Sequence, residues 1–259
     1  MIAPMKTLQN ADAVSSMPRI FDMTSPLFPT YCGADKRLSI SGAFSLVLNA
    51  AAAHCELIGT GVADMEERGL FWLMVRSRIR FHRRSYMMEN AKLTTWPGRP
   101  SRLLCDRYYA LSQGEELLME ARNEWAVLSL NTLRPTRTEA IYPDGFSALD
   151  ASLLNEPFRR FQDDFCEEEA VKRVIVQPSD VDFGRHVNHA LYLKMLTDSF
   201  SLTEWEALDA REIEVQYLSP CYEGEVLTVY RRKESNGFSF AIRKEDGKCA
   251  LLAYLTVDR

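Results

Sequence analysis

The hydrophobic and polar positions along the chain alternate between two periods. An alanine-rich apolar run, "SGAFSLVLNAAAAHCELIG" at 41–59, predicts a helix buried on nearly all sides. Four segments of alternating or β-rich character follow: "LFWLMVRSRIRFH" (70–82), "NAKLTTWP" (90–97), "RLLCDRYYALS" (102–112) and "EARNEWAVLSL" (120–130). Each reads as a strand of one sheet. Prolines and turn formers in "NTLRPTRTEAIYPDGFSALD" and the acidic "FQDDFCEEEA" then mark a departure from that sheet.

Beyond this connector the order repeats. "VKRVIVQPSDVD" (171–182) predicts a strand, and "VNHALYLKMLTDSFSLTEWEAL" (187–208) predicts one long second helix. "AREIEVQYLSP", "GEVLTVYRRKE", "GFSFAIRKE" and "CALLAYLTVD" predict strands again. Laid on each other without a gap, 78–96 and 212–230 match strand, break and strand, setting Met87 on Cys221 and Glu89 on Glu223. A helix wrapped by an antiparallel sheet, twice in one chain, is an α+β fold of the double hot dog type, with the two sheets joined edge to edge. The expected organisation is a loose tail at 1–24, a first domain at 25–137, a linker at 138–170 and a second domain at 171–259. Two domains suit 259 residues.

Composition narrows the class. With 46% hydrophobic and 26% charged residues the chain is globular. The helical run at 42–59 is interrupted by Asn49 and His54, so no membrane span is expected, and the first twenty residues lack the apolar core of a secretory signal. Six cysteines (Cys32, Cys55, Cys105, Cys166, Cys221 and Cys249) stand singly, without metal-type spacing; free thiols in a reducing cytoplasm, and no metal or cofactor, are expected. The net charge is −5, yet nine Lys/Arg against two acids between 71 and 110 give a local 9 − 2 = +7. That stretch reads either as a solvated sheet face or as a dock for an acidic partner; nucleic acid is not expected of an acidic chain without a nucleic-acid motif.

The chain has no GxGxxG, Walker loop, HExxH or GxSxG. Its polar chemistry gathers in "SDVDFGRHVNHALYL" (179–193), at the start of the second helix. A helix beginning near Val187 or Asn188 would aim its unpaired N–H groups and positive dipole end at the space beside Asp182 and His186, a place for a developing oxyanion. An acid four residues before a histidine can fix its tautomer and stabilise the imidazolium. The same spacing also suits a capping aspartate beside a surface histidine.

The segment "DVDFGRHVNHALYL" resembles the D-x-D-x-N-x-H-V-N-N motif of the acyl-ACP thioesterases, which release fatty acids from acyl carrier protein. "RGLFWLMVRSRIRF", "TTWPGRP" and "EWAVLSLNTLRPTR" resemble that family's first domain, and "EIEVQYLSPCYEGEVLTV" its cysteine-bearing strand. The resemblance covers about residues 25–259. It implies that Asp182 and His186 fall on the catalytic acid and histidine, Cys221 on the plant enzymes' cysteine, and Asn188 on the first asparagine after "HV". Two positions depart: Gly184 replaces an asparagine that would contact the thioester or the attacking water, and Pro220 replaces an acid. Asp180 offers a second carboxylate.

The implied activity is hydrolysis of acyl-acyl carrier protein in fatty acid biosynthesis, with His186 as general base oriented by Asp182, and Asn188, Gly184 and Asp180 beside the substrate. Cys221 is either a covalent nucleophile or a pocket wall beside direct water attack, the favoured route. His189 reads as a solvated helix residue. The first domain, with no histidine matching His186, would hold the acyl chain, with Phe44, Leu48, Phe71, Trp72, Leu73 and Trp125 as candidate lining or plain core. Its arginine-rich region would form a basic rim for the acidic carrier. The expected assembly is a pseudo-dimeric monomer or a homodimer. Alternatives are an acyl-CoA thioesterase, an enoyl-thioester hydratase of the same fold, and a non-catalytic acyl-thioester binder. Chain-length preference is set by side-chain volumes that no motif carries.

Overall fold

A computed structural model describes residues 17–138 and 141–258. In chain order it has β1 (Phe21–Pro26), α1 (Ile40–Leu57), α2 (Val62–Glu67), β2 (Leu70–Phe81), β3 (Asn90–Pro97), β4 (Leu104–Gln113) and β5 (Glu116–Ser129). The second half has β6 (Ala170–Ile175), α3 (His189–Thr197), α4 (Leu202–Glu206), β7 (Asp209–Tyr217), β8 (Val226–Glu234), β9 (Gly237–Lys244) and β10 (Cys249–Asp258). The described residues form one ten-stranded antiparallel sheet in the order β1-β3-β4-β5-β2-β7-β10-β9-β8-β6. Each half has the same internal order, and β2 and β7 cover each other's edge, joining the halves as a double hot dog.

Several expectations change. Residues 21–24, assigned to the tail, lie in β1, which pairs Phe21 with Thr95 and Met23 with Leu93; residues 1–16 of that tail lie outside the described residues. The second helix is not continuous. It stops at Thr197 and resumes at Leu202, where Ser201 and Glu204 form a capping box: Glu204 N–H donates to Ser201 Oγ at 3.2 Å, and Ser201 N–H to the Glu204 carboxylate at 2.7 Å. Phe200, in the break, packs its ring 4.9 Å from that of Phe238.

The gapless superposition of the halves is also off by two residues. The Leu38 N–H donates to the Ser85 carbonyl as the Val187 N–H donates to the Cys221 carbonyl. The Tyr86 N–H donates to the Glu89 carboxylate as the Tyr222 N–H donates to that of Glu225. The equivalent pairs are therefore Ser85 with Cys221, Glu89 with Glu225, and, at the strand ends, Phe81 with Tyr217, all 136 apart. On this count Arg78 matches Glu214, and the two face each other directly across the β2–β7 ladder. The pseudo-twofold axis passes between them.

The core lies between the sheet and the helices. Phe44, Val47 and Ala50 of α1, Leu193 and Leu196 of α3, and Ile79 and Ile213 at the junction share one buried cluster. α1 is long and apolar enough, by length and composition, to cross a membrane, and half of it is buried against the sheet; Asn49, Ala52, Glu56 and Leu57 face out. Adjacent strand residues point to opposite faces, so Arg78 and Glu214 lie on the face away from the helices. The connector covers them there. Arg78 donates to the carbonyls of Glu156 and Pro157, and Glu214 accepts from the Arg159 N–H at 2.9 Å. The Arg122 and Arg78 guanidiniums stand 4.8 Å and 5.2 Å from the Phe158 ring centre.

This arrangement pairs most of the residues predicted to form a basic rim on the first domain with acids. Arg76, Arg78, Arg80, Arg83, Arg84, Lys92 and Arg99 pair with Glu124, Glu214, Glu212, Glu116, Asp35, Asp22 and Asp150 respectively. Arg107 is buried and donates to His54 Nδ1 at 3.0 Å, while His54 Nε2 donates to the Pro18 carbonyl at 2.7 Å. Seven of the nine positive charges at 71–110 thus meet acids outside that stretch, while Arg102 is exposed and Arg107 faces a histidine.

Candidate active site

The site is a tight loop that ends on the amino terminus of α3. After the single helical turn Pro178–Asp180, Val181 and Val187 form an antiparallel bridge, closing a loop whose tip is Phe183, Gly184 and Arg185. The Asp182 N–H donates to the His186 carbonyl and the Arg185 N–H to the Asp182 carbonyl, both at 3.0 Å. Arg185 adopts a left-handed φ of 59° to make this turn. Residues 182 and 186 are thereby fixed side by side.

The first half carries the same loop with different chemistry. Cys32 and Leu38 form the corresponding bridge, Lys36 has the corresponding φ of 59°, and Ser39 caps α1 as Asn188 caps α3. Arg37 takes the place of His186 and donates to the Tyr86 hydroxyl at 2.8 Å, while Arg84 and Asp35 form an ion pair. One loop is held by an ion pair and an arginine–tyrosine hydrogen bond, and the other presents an acid and a histidine.

His186 Nδ1 lies 3.8 Å from Asp182 Oδ1, an ion-pair distance rather than a hydrogen bond, with the side chains 28% and 15% exposed. Asp182 Oδ1 also accepts the Gly184 N–H at 2.8 Å, which pins the carboxylate. A Cβ at Gly184 would lie 3.0 Å from His186 Nε2 and 3.1 Å from Asp182 Oδ1. The asparagine implied by the resemblance has no room unless the pair moves, and glycine leaves Nε2 accessible.

The other predicted residues hold the loop. Asp180 Oδ2 accepts the Gln177 N–H at 2.8 Å, and its carbonyl accepts the Asn188 N–H at 2.9 Å. Asn188 Oδ1 caps α3 by accepting the Ala190 N–H at 2.9 Å, and the Leu191 N–H donates to the Asn188 carbonyl. The His189 backbone N–H is left without an acceptor among the described residues, at the positive end of the helix. Pro220 is exposed.

Cys221 is fully buried. Its thiol is raised by burial, with Tyr192 of α3 beside it; the tie to the His186 loop is through backbone, by the Val187 N–H.

His189 is half-buried rather than fully solvated as the sequence suggested. Its ring stands edge-on to Tyr217 at 4.7 Å and to His186 at 5.9 Å. Burial and the neighbouring His186 push it down to about 4. His54 is likewise pushed down to about 4, by burial first and then by Arg107. Both are neutral in the native state near neutral pH, whereas the unfolded chain protonates them near 6.5. Unfolding therefore takes up two protons between these values, and stability falls as pH drops from 6.5 towards 4, by on the order of 3 kcal/mol per histidine. Melting curves across that range are expected to show this slope, with His189→Asn removing about half of it.

Two family models match in series. That for the acyl-ACP thioesterase N-terminal domain matches residues 20–144, and that for the C-terminal domain residues 164–254. The chain belongs to the acyl-ACP thioesterase family. Chloroplastic palmitoyl-acyl carrier protein thioesterase of Gossypium hirsutum is 24% identical over 208 residues, covering 75% of this chain and 50% of its own. The chain thus spans about half the length of the curated relatives it matches. Among solved structures, an acyl-ACP thioesterase from Bacteroides thetaiotaomicron has a TM-score of 0.83 at 22% identity, covering 93% of this chain and 98% of its own. The 12:0-ACP thioesterase from Umbellularia californica has a TM-score of 0.80 at 17% identity, with the same coverage. These two likenesses establish the double hot dog fold across both halves.

Proposed function

We propose that this acyl-ACP thioesterase family member hydrolyses the thioester of acylated carrier protein, releasing a fatty acid. One observation carries the reading: Asp182 and His186 are held 3.8 Å apart immediately before α3, whose first N–H, that of His189, has no acceptor among the described residues and can donate to a developing anion. His186 Nε2 takes a proton from water as the water oxygen bonds to the acyl carbon. The carbonyl oxygen gains charge at the amino end of α3, where the dipole favours it. Collapse breaks the C–S bond, and the leaving thiolate takes the proton back from His186. Asp182, anchored by Gly184, faces Nδ1 and stabilises the transient imidazolium. A thiolate leaves readily, so this small constellation is adequate without the acid that Pro220 replaces.

Water rather than Cys221 is the nucleophile in this proposal. A buried thiol raised by burial has little thiolate at neutral pH. The first domain would take the acyl chain, with the carrier's phosphopantetheine entering at the Phe183–Arg185 tip. Six free thiols accord with a reducing, cytoplasmic setting. The test is fatty acid release by Cys221→Ala, read alongside intact mass during turnover. Activity within a few-fold of wild type and no acyl-enzyme adduct is expected; an adduct that disappears in Cys221→Ala would establish the covalent route instead.

A further inference from the structure

Tyr217 ends β7, and its hydroxyl is sealed from solvent with no hydrogen-bond partner among the described residues. A buried hydroxyl without an acceptor is costly, and such groups are rare outside functional sites. Its ring packs against those of His189 at 4.7 Å, Tyr192 at 6.0 Å and Phe44 at 6.4 Å. With His186 5.9 Å beyond His189, three rings lead from the proposed base to the orphan hydroxyl.

The internal repeat shows what the fold itself requires here. At the equivalent positions of the first half stand Phe81 for Tyr217, Ile40 for His189 and Arg37 for His186. The same strand end and helix start are built there without these polar atoms. The hydroxyl and the second histidine are present only in the half that holds Asp182 and His186. Burial keeps the Tyr217 phenol protonated and His189 neutral, so the hydroxyl is available as a donor.

We propose that Tyr217 is a further catalytic residue, its hydroxyl donating a hydrogen bond to the carbonyl oxygen of the bound acyl thioester, with His189 as the positioning residue that holds its ring. This deepens the thioesterase reading and rests on it. It supplies the carbonyl contact that the asparagine absent at Gly184 cannot. Because the hydroxyl is sealed, the acyl group must part the His189–Tyr217 contact to reach it. The oxyanion then meets the Tyr217 hydroxyl and the His189 backbone N–H together.

The test is Tyr217→Phe. Removing a hydroxyl that has no partner among the described residues leaves the melting temperature unchanged or higher, whereas kcat is expected to fall about 10²–10³-fold with KM little altered, as when one oxyanion donor is lost. A second readout does not need turnover: the infrared carbonyl band of a ¹³C-labelled ketone analogue of acyl-pantetheine, with methylene in place of sulfur. Its band is expected to shift to lower frequency on binding wild type and to lose that shift in Tyr217→Phe. The same band position in both proteins, or a kcat within about three-fold of an active wild type, overturns the role of Tyr217 and leaves the hydrolase reading standing. A shift lost in the variant, with no hydrolysis by wild type, keeps the Tyr217 contact and ends the hydrolase reading. No binding of the analogue by wild type ends both.

Discussion

Replacing His186 with alanine is expected to lower acyl-thioester turnover by about 10²–10⁴-fold, the range for loss of a positioned general base. The side chain is partly exposed at a loop closed by backbone bonds between Asp182, Arg185 and His186, so the melting temperature should stay close to wild type. Asp182→Asn tests the pair differently. It keeps the size of the side chain while removing the charge that stabilises the imidazolium, and should fall between wild type and His186→Ala. A loss of activity equal to that of His186→Ala together with a lower melting temperature would mean that Asp182 builds the loop rather than assisting the histidine.

The largest stability effect is expected far from this loop. Arg78→Ala should destabilise the protein by about 3–5 kcal/mol, because it leaves the Glu214 carboxylate buried without its counter-ion. Arg78 and Glu214 are 3% and 7% exposed, 2.7 Å apart, at the pseudo-twofold axis where β2 meets β7. The change also releases the connector at Glu156 and Pro157. Replacing both partners by apolar residues of similar size should recover much of the loss, since no unpaired charge then remains. Denaturant unfolding measures both; a loss under 1 kcal/mol for Arg78→Ala would show that water reaches Glu214 and that the connector does not seal the junction.

The repeated plan of helix and sheet is legible in the sequence because each half alternates between the 3.6 and 2.0 periods in the same order. β1 is less so: the alternation in "FDMT" spans only four residues before Ser25 and Pro26, and its place comes from pairing with β3. The break in the second helix was available as the S-x-x-E pattern at Ser201 and Glu204, inside what otherwise reads as helix. The two-residue slip between the halves runs through strand and turn alike, because backbone hydrogen bonds rather than residue types fix the match.

At the site, Asp182 and His186 come together as their spacing suggests, because four residues close one tight loop. Asn188 and Asp180 turn out to bind backbone, which a motif cannot distinguish from binding substrate. His189 and Tyr217 carry no sequence signal: a histidine at a helix start and a tyrosine at a strand end are ordinary, and only the packing of their rings sets them apart. The basic stretch misleads for the opposite reason. Its charge is real, but acids such as Glu116, Glu212 and Glu214, remote along the chain, pair with most of it after folding.

The most direct measurement is product formation from a long-chain acyl-carrier protein, following free fatty acid and free carrier thiol together in wild type and His186→Ala. Equal amounts of acid and thiol from wild type, and release lowered at least 10²-fold in the variant, are the predicted result. Tight binding of the acylated carrier by wild type, with neither product appearing, would contradict the account and make the chain an acyl-thioester binder.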